Sequence, residues 1–402
     1  MTPLRIAVLT ATFPRAAETP FTNILAGLAR RGHRLDIFAD RAEQGTAPHP
    51  MIVETGLLER TVHRPRFPGG AAGLLAALRT VRRHPEAPWL RRALDPTRFG
   101  PRALRGDSVA EAAPLVGRGP WDVVYATYGQ LGLDAVRLRR IGAFDAPVVT
   151  AFRGADITQF PQRRGPGAYD ELFRDGELFL PVCRALADRA RALGAPPDRT
   201  RVHGTGLDLS LYAWRARRPG AGDGTTWLVT AARLVAKKGL DDTLRAVRRL
   251  RDAGHDVRFR LLGDGPLREP LERLVAELRL EPAVEFLGQC DAVTVRAAMA
   301  ASDIAALCSV TSDTGDAEGI PNMLKEAMLV GLPVVATLHS GIPELVEHGV
   351  SGYLVPEREP AAIAAAVERL VSERARWAEM GAAGRRVVER DYDIEVLNDR
   401  LV

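Results

Sequence analysis

The sequence predicts an α/β protein built from two doubly wound parallel sheets, and three observations carry that reading. Short apolar, β-branched runs alternate with amphipathic stretches of helical period, the order that builds βαβ units. The alternation breaks at residues 215–224, RARRPGAGDG, a charged then glycine-rich stretch without apolar periodicity, and resumes beyond it. A chain of 402 residues also exceeds the roughly 250 at which single cores stop growing, so two domains are expected.

The first half opens with a strand over 5–10, a turn holding Pro14 and Pro20, a helix over 22–31 stopped by Gly32, and a strand over 35–38. Residues 46–119 are rich in Pro, Gly and Arg; a helical patch is read over 71–81, no strand stands out, and the detail is left open. Alternation resumes with strands at 123–126, 148–152 and 178–182, helices at 130–140 and 184–193, and a short strand at 201–203. After the linker come strands at 227–231, 259–262, 284–287, 304–308 and 334–337, with helices starting near Leu240, Pro266, Ala292 and Pro321. Helices over 360–371 and 374–387 lead to an amphipathic terminal segment, 394–402.

Composition excludes several classes. Hydrophobic residues make up 46% and charged residues 26%, which is ordinary for a folded globular chain. No apolar run approaches the roughly 18 residues of a membrane span, and the 5–10 run is too short for a signal peptide, so a cytoplasmic protein is expected. Cys183, Cys290 and Cys308 show neither CxxC nor Cys/His spacing, so neither disulfides nor zinc are expected. Net charge is +5, and of 55 basic residues only Lys237, Lys238 and Lys325 are lysines.

Chemistry concentrates in the second half, just after its strands, where doubly wound folds bind ligands. In EGIPNMLKE (318–326), Pro321 suits the start of a helix whose free opening amides attract a diphosphate. Glu318 lies just outside that helix and Glu326 inside it, one turn beyond Asn322. One carboxylate then suits a sugar and the other a ribose. On this segment alone, a dipole-complementing Glu318 and a solvated Glu326 stand level with the ligand reading. Arg233 and Lys238 in RLVAKKG (233–239) supply cations that neutralise a departing nucleoside diphosphate without a metal.

The combination resembles the retaining glycosyltransferase family 4, of the GT-B fold. TAARLVAKKG (230–239) resembles its phosphate clamp, LGDGPL (262–267) its turn near the donor, VEFLG (284–288) its base-holding loop, and 318–326 its two glutamates. GLPVVAT (331–337), GIPE (341–344) and GYLV (352–355) extend the match. Phe13, Pro14 and ETPF (18–21) resemble the first loop of the exopolysaccharide subgroup that includes colanic acid transferases. FRGAD (152–156) is similar to a family segment in which His is commoner than Arg153, which leaves an imidazole role without a bearer.

The resemblance implies two Rossmann-like domains facing across a cleft: residues 1–214 binding acceptor, a linker at 215–224, residues 225–384 binding nucleotide-sugar, and a C-terminal helix at 385–402 crossing back to the first domain. It implies retaining, metal-independent hexosyl transfer, with a UDP-sugar favoured, to a glycan or lipid-linked glycan in polysaccharide synthesis. No cofactor is implied; the nucleotide-sugar is a co-substrate. Glu318, Arg233 and Lys238 would be catalytic, and Glu326, Gly263, Leu287, Gly319, Ile320, Pro321 and Asn322 would hold the donor. Arg153, Asp156, Phe13, Glu18 and Thr19 would face acceptor or sugar. Arginines and leucines crowding 74–105 suggest contact with an anionic membrane at its inner face, against a solvated cap over the sheet.

Other readings carry less. A small-molecule acceptor in an antibiotic pathway is the alternative substrate. A 2-epimerase lacks the spaced glutamates in this context, and a phosphorylase would need a pyridoxal lysine, for which only Lys325 remains. A nucleic-acid-binding protein would show interleaved aromatic and basic residues, which are missing here. Asp391 and Asp393 have metal-binding spacing but no preceding strand, His203 is read as a packing residue, and the loop 313–316 as solvated.

Overall fold

The computed structural model describes residues 2–14, 19–43, 49–216 and 224–402, so most of the expected linker lies outside the described residues. The chain divides into two compact units. One comprises Met1–Ile157, Arg164–Pro181 and Ala187–His203; the other comprises Thr158–Arg163, Val182–Leu186 and Gly204–Val402.

The first unit holds β1 (Arg5–Thr12), β2 (Arg34–Arg41), β3 (Thr61–His63), β4 (Val123–Ala126), β5 (Val148–Phe152) and β6 (Leu178–Pro181). They form one parallel sheet in the order β3-β2-β1-β4-β5-β6. β3 falls in 46–119, which the sequence left open; three residues with no buried member carry no periodic signal. The strand expected at 201–203 is not one. Arg201 and His203 donate their amides to Phe179 and Pro181 of β6, but the segment forms no ladder of its own.

The second unit holds β7 (Thr226–Ala231), β8 (Val257–Leu262), β9 (Val284–Gly288), β10 (Ile304–Leu307), β11 (Val334–Thr337) and β12 (Gly352–Val355). Their order, β12-β11-β10-β7-β8-β9, repeats that of the first sheet. Both units are Rossmann-like, with order reversing at β1/β4 and at β7/β10. Alternate strand residues serve opposite faces. Leu228, Ile304 and Val335 join one core with Leu244, Val247 and Val367. Val229, Ala305 and Val334 join the other with Leu324 and Met328. A sheet buried on both sides is why these strands read as continuous apolar runs, and each buried Leu or Val contributes about 1.5–3 kcal/mol. Residues 385–402 fall within the second unit, where the Ile394 amide donates to the Leu207 carbonyl and the Leu207 amide to that of Tyr392.

Candidate active site

The site of the second unit is assembled from the loops that leave β7, β8, β10, β11 and β12. Beyond β7 the chain makes a short 3-10 turn, Ala236–Lys238, ended by Gly239 at φ +57°. A Cβ at Gly239 would lie 1.9 Å from the Cys308 carbonyl oxygen, so only glycine lets this turn sit on the β10 end. Val310 then donates its amide to the Lys237 carbonyl at 2.9 Å. Behind the same loop, Gly263 follows β8 at φ +122°, where a Cβ would meet the Ala232 oxygen at 2.0 Å. Gly263 is thus a packing surface for the loop that carries Arg233. Arg233 itself is exposed.

This docking brings two of the three expected catalytic charges together, Lys238 and Glu318, with Lys237 beside them, and leaves Arg233 outside the contact. Lys238 Nζ lies 2.9 Å from Glu318 Oε1, and Lys237 Nζ lies 3.4 Å from the same atom and 3.1 Å from Asp316 Oδ1. Burial pushes the Glu318 carboxyl up, but the Lys238 and Lys237 ammonium groups outweigh it and hold the pKa at about 2. Burial works against the charge on Lys237 as well, yet Glu318 and Asp316 raise its pKa. The loop expected to be solvated at 313–316 therefore splits in role. Asp313 is fully exposed, whereas Asp316 is drawn into the lysine pair.

Helix Asn322–Leu329 follows, with Pro321 as its N-cap and not inside its first turn. The Leu324 amide turns back to the Pro321 carbonyl at 3.2 Å, and the amides before it open the helix, where donors without a partner one turn earlier suit an anion. Gly319 and Ile320 form the approach from Glu318. Asn322 Oδ1 lies 3.4 Å from the Thr205 hydroxyl, which donates to it. Glu326 is half-buried beside the Tyr212 hydroxyl and Arg296; burial pushes its carboxyl up despite those groups and Lys325. Lys325 is fully buried, donating to the Thr205 carbonyl at 2.6 Å and lying 5.0 Å from the Tyr392 ring centre, a structural post. Leu287, expected to face the base, is 44% exposed at the end of β9.

In the first unit, Asp156 is buried and its carboxylate is consumed by backbone amides. Oδ1 accepts from Arg153 at 3.0 Å and Gly154 at 2.9 Å, and Oδ2 from Gly129 at 3.1 Å. Burial still raises its pKa, with those three amides pulling the other way. Arg153 donates Nε to the Thr127 carbonyl, and its guanidinium lies 5.6 Å from the Phe21 ring centre and 5.9 Å from that of Tyr128. Phe13 is buried, edge-on to Phe21 at 6.3 Å. Glu18 lies outside the described residues, as does the side chain of Thr19, whose backbone opens helix Thr19–Arg30.

The basic, leucine-rich region is narrower than its sequence suggests. Leu90 is fully buried, Arg102 pairs with Asp134, Arg98 with Asp95 and Arg105 with Asp107. Exposed Leu75 and Leu78 remain beside Arg79, Arg82 and Arg83 on helix Gly70–Arg83. No helix among the described residues is long and apolar enough to cross a membrane. Asp391 pairs with Arg390, and Asp393 caps helix Ile394–Leu401.

Two contributors escaped the sequence reading. His339, fully enclosed beyond β11, accepts the Glu318 amide on Nε2 at 3.0 Å, and its Nδ1 lies 2.6 Å from Glu357 Oε1. The only signal was one histidine between two matched segments, GLPVVAT and GIPE.

Residues 225–373 match the model of Glycosyl transferases group 1, and residues 16–206 that of the Glycosyl transferase 4-like domain. A putative colanic acid biosynthesis glycosyltransferase, WcaL of Salmonella typhimurium, is 34% identical over 372 residues, covering 90% of this chain and 89% of its own. The amylovoran biosynthesis glycosyltransferase AmsK of Erwinia amylovora is 34% identical over 273 residues, covering 68% of this chain and 67% of its own. Among solved structures, Anabaena Alr3699/HepE in complex with UDP and glucose has a TM-score of 0.70 at 20% identity, covering 99% of this chain and 98% of that one.

Proposed function

The chain belongs to the group 1 glycosyltransferases of the GT-B fold, and from that premise we propose that it is a retaining, metal-independent hexosyltransferase of exopolysaccharide synthesis. The proposed donor is a UDP-sugar and the acceptor a hydroxyl of a glycan or lipid-linked glycan. What carries this reading is the contact of Lys238 with Glu318 at the β7/β10 switch point. An ammonium there can neutralise charge on the departing diphosphate, while the carboxylate it orients accepts hydrogen bonds from hydroxyls of the transferred sugar. The bond from the anomeric carbon to the diphosphate oxygen breaks as the acceptor oxygen bonds to the same face. The acceptor proton passes to the leaving phosphate, so no protein nucleophile is needed. The exopolysaccharide acceptor is supported by the relatives matched over most of the chain.

Calorimetric titration of UDP, GDP and their sugars, with and without EDTA, tests the donor. UDP binding that survives EDTA and weakens roughly tenfold in Glu326→Ala, the loss of a hydrogen bond to a charged group, is expected. Turnover abolished by EDTA and restored by manganese overturns metal independence. We further propose that helix Gly70–Arg83 docks on the inner membrane face, where each basic side chain contributes about 1 kcal/mol. Co-sedimentation with anionic but not neutral vesicles is expected; equal, negligible binding to both at low salt ends that proposal.

A further inference from the structure

The loop between β10 and helix Asn322–Leu329 carries Glu318, and neighbouring strand ends hold it at three points. Thr337 at the end of β11 donates its hydroxyl to the Ser309 carbonyl. Glu357, just beyond β12, accepts the Thr311 amide on Oε2 at 2.8 Å. His339 accepts the Glu318 amide. A backbone N–H can only donate, so Nε2 must be unprotonated, which puts the imidazole proton on Nδ1, facing the Glu357 carboxylate.

From this geometry we infer that His339 is a positioning residue: oriented by Glu357, its neutral imidazole holds the Glu318 backbone so that the carboxylate stays against Lys238. The inference rests on the transferase reading above. Both ends of the loop are gripped by one His–Glu pair, at Thr311 through the carboxylate and at Glu318 through the ring. His339 touches no ion of the lysine cluster directly; it acts through the main chain. Because a misplacement of about 1 Å can cost roughly 100-fold in rate, releasing this grip affects turnover more than donor affinity, which the Arg233 loop and the helix amides continue to supply.

The test exploits the two nitrogens separately. In His339→Gln the side-chain oxygen can reach the place of Nε2 and accept the Glu318 amide; in His339→Asn the amide can reach only the place of Nδ1. We expect kcat to fall about 10- to 100-fold in His339→Ala and His339→Asn, and less than about fivefold in His339→Gln. KM for the donor and Kd for UDP should change less than about threefold in all, with unchanged thermal melting midpoints for Gln and Asn relative to each other. Equal losses in Asn and Gln, or KM and kcat worsening together, overturn the inference. Nitrogen-15 NMR of labelled histidine gives an independent readout, with the His339 resonances assigned by their loss in His339→Gln. An Nδ1–H tautomer is expected, and an Nε2–H tautomer overturns the inference even if the wild type transfers no sugar. Wild-type turnover and UDP binding are measured alongside, so failure of the transferase reading is seen separately.

Discussion

Two carboxylates at the carboxyl ends of sheets with the same strand order, one buried and one partly so, serve opposite uses. Asp156, after β5, is enclosed by three backbone amides, which satisfy it without a counter-charge, and burial raises its pKa. Glu318, after β10, is partly withdrawn from water and meets two ammonium groups, which outweigh burial and hold its pKa at about 2. Backbone amides make a carboxylate part of the scaffold, here at the start of helix Gly129–Arg140, whose dipole favours it. Side-chain cations leave it charged and exchangeable, because an ammonium on a flexible stem can share itself with an incoming phosphate. Shared topology therefore locates both residues and decides the role of neither.

The comparison breaks most visibly at Lys238. Lys238→Ala is expected to lower kcat about 100- to 1,000-fold, the usual consequence of removing one preorganised electrostatic group, followed by nucleotide release in steady state. A loss below tenfold would make Lys238 a counter-ion for Glu318 and nothing more. Asp156→Asn sharpens the other side: one oxygen becomes a donor facing a donor amide, costing about 1–3 kcal/mol of stability. Urea unfolding should register that loss, and UDP affinity should not move; an affinity change with full stability would make Asp156 a ligand-facing group.

The smallest effect is one of pH. The folded pKa of Glu318 lies below its ordinary value of 4.5, so the stability from its ion pairs is complete above about 4.5 and is lost as pH falls towards 2. Urea midpoints of the wild type and Glu318→Gln should differ at pH 6 and converge through that window. A gap that stays constant down to pH 2 would show that the lysines contribute nothing to folding through Glu318.

The sequence alone determined most of the βα alternation of both units, placed the strands it read within about three residues, and pointed by motif to Arg233, Lys238, Glu318 and Glu326, because apolar periodicity and motif chemistry are local properties. It passed over β3, three residues without a buried side chain, and did not read β12 as a strand although its GYLV run was noticed. Tertiary structure alone decided which charges meet. Lys237 was read only as part of the phosphate-clamp segment, yet it closes an ion pair with Asp316 that depends on Gly239 letting one loop lie on another. His339 and Glu357 are 18 positions apart, on loops after different strands, and become partners only when β11 pairs with β12. Hydrogen bonds reach about 3 Å, and no spacing rule along a chain specifies which side chains come that close once parallel strands have set their loops side by side.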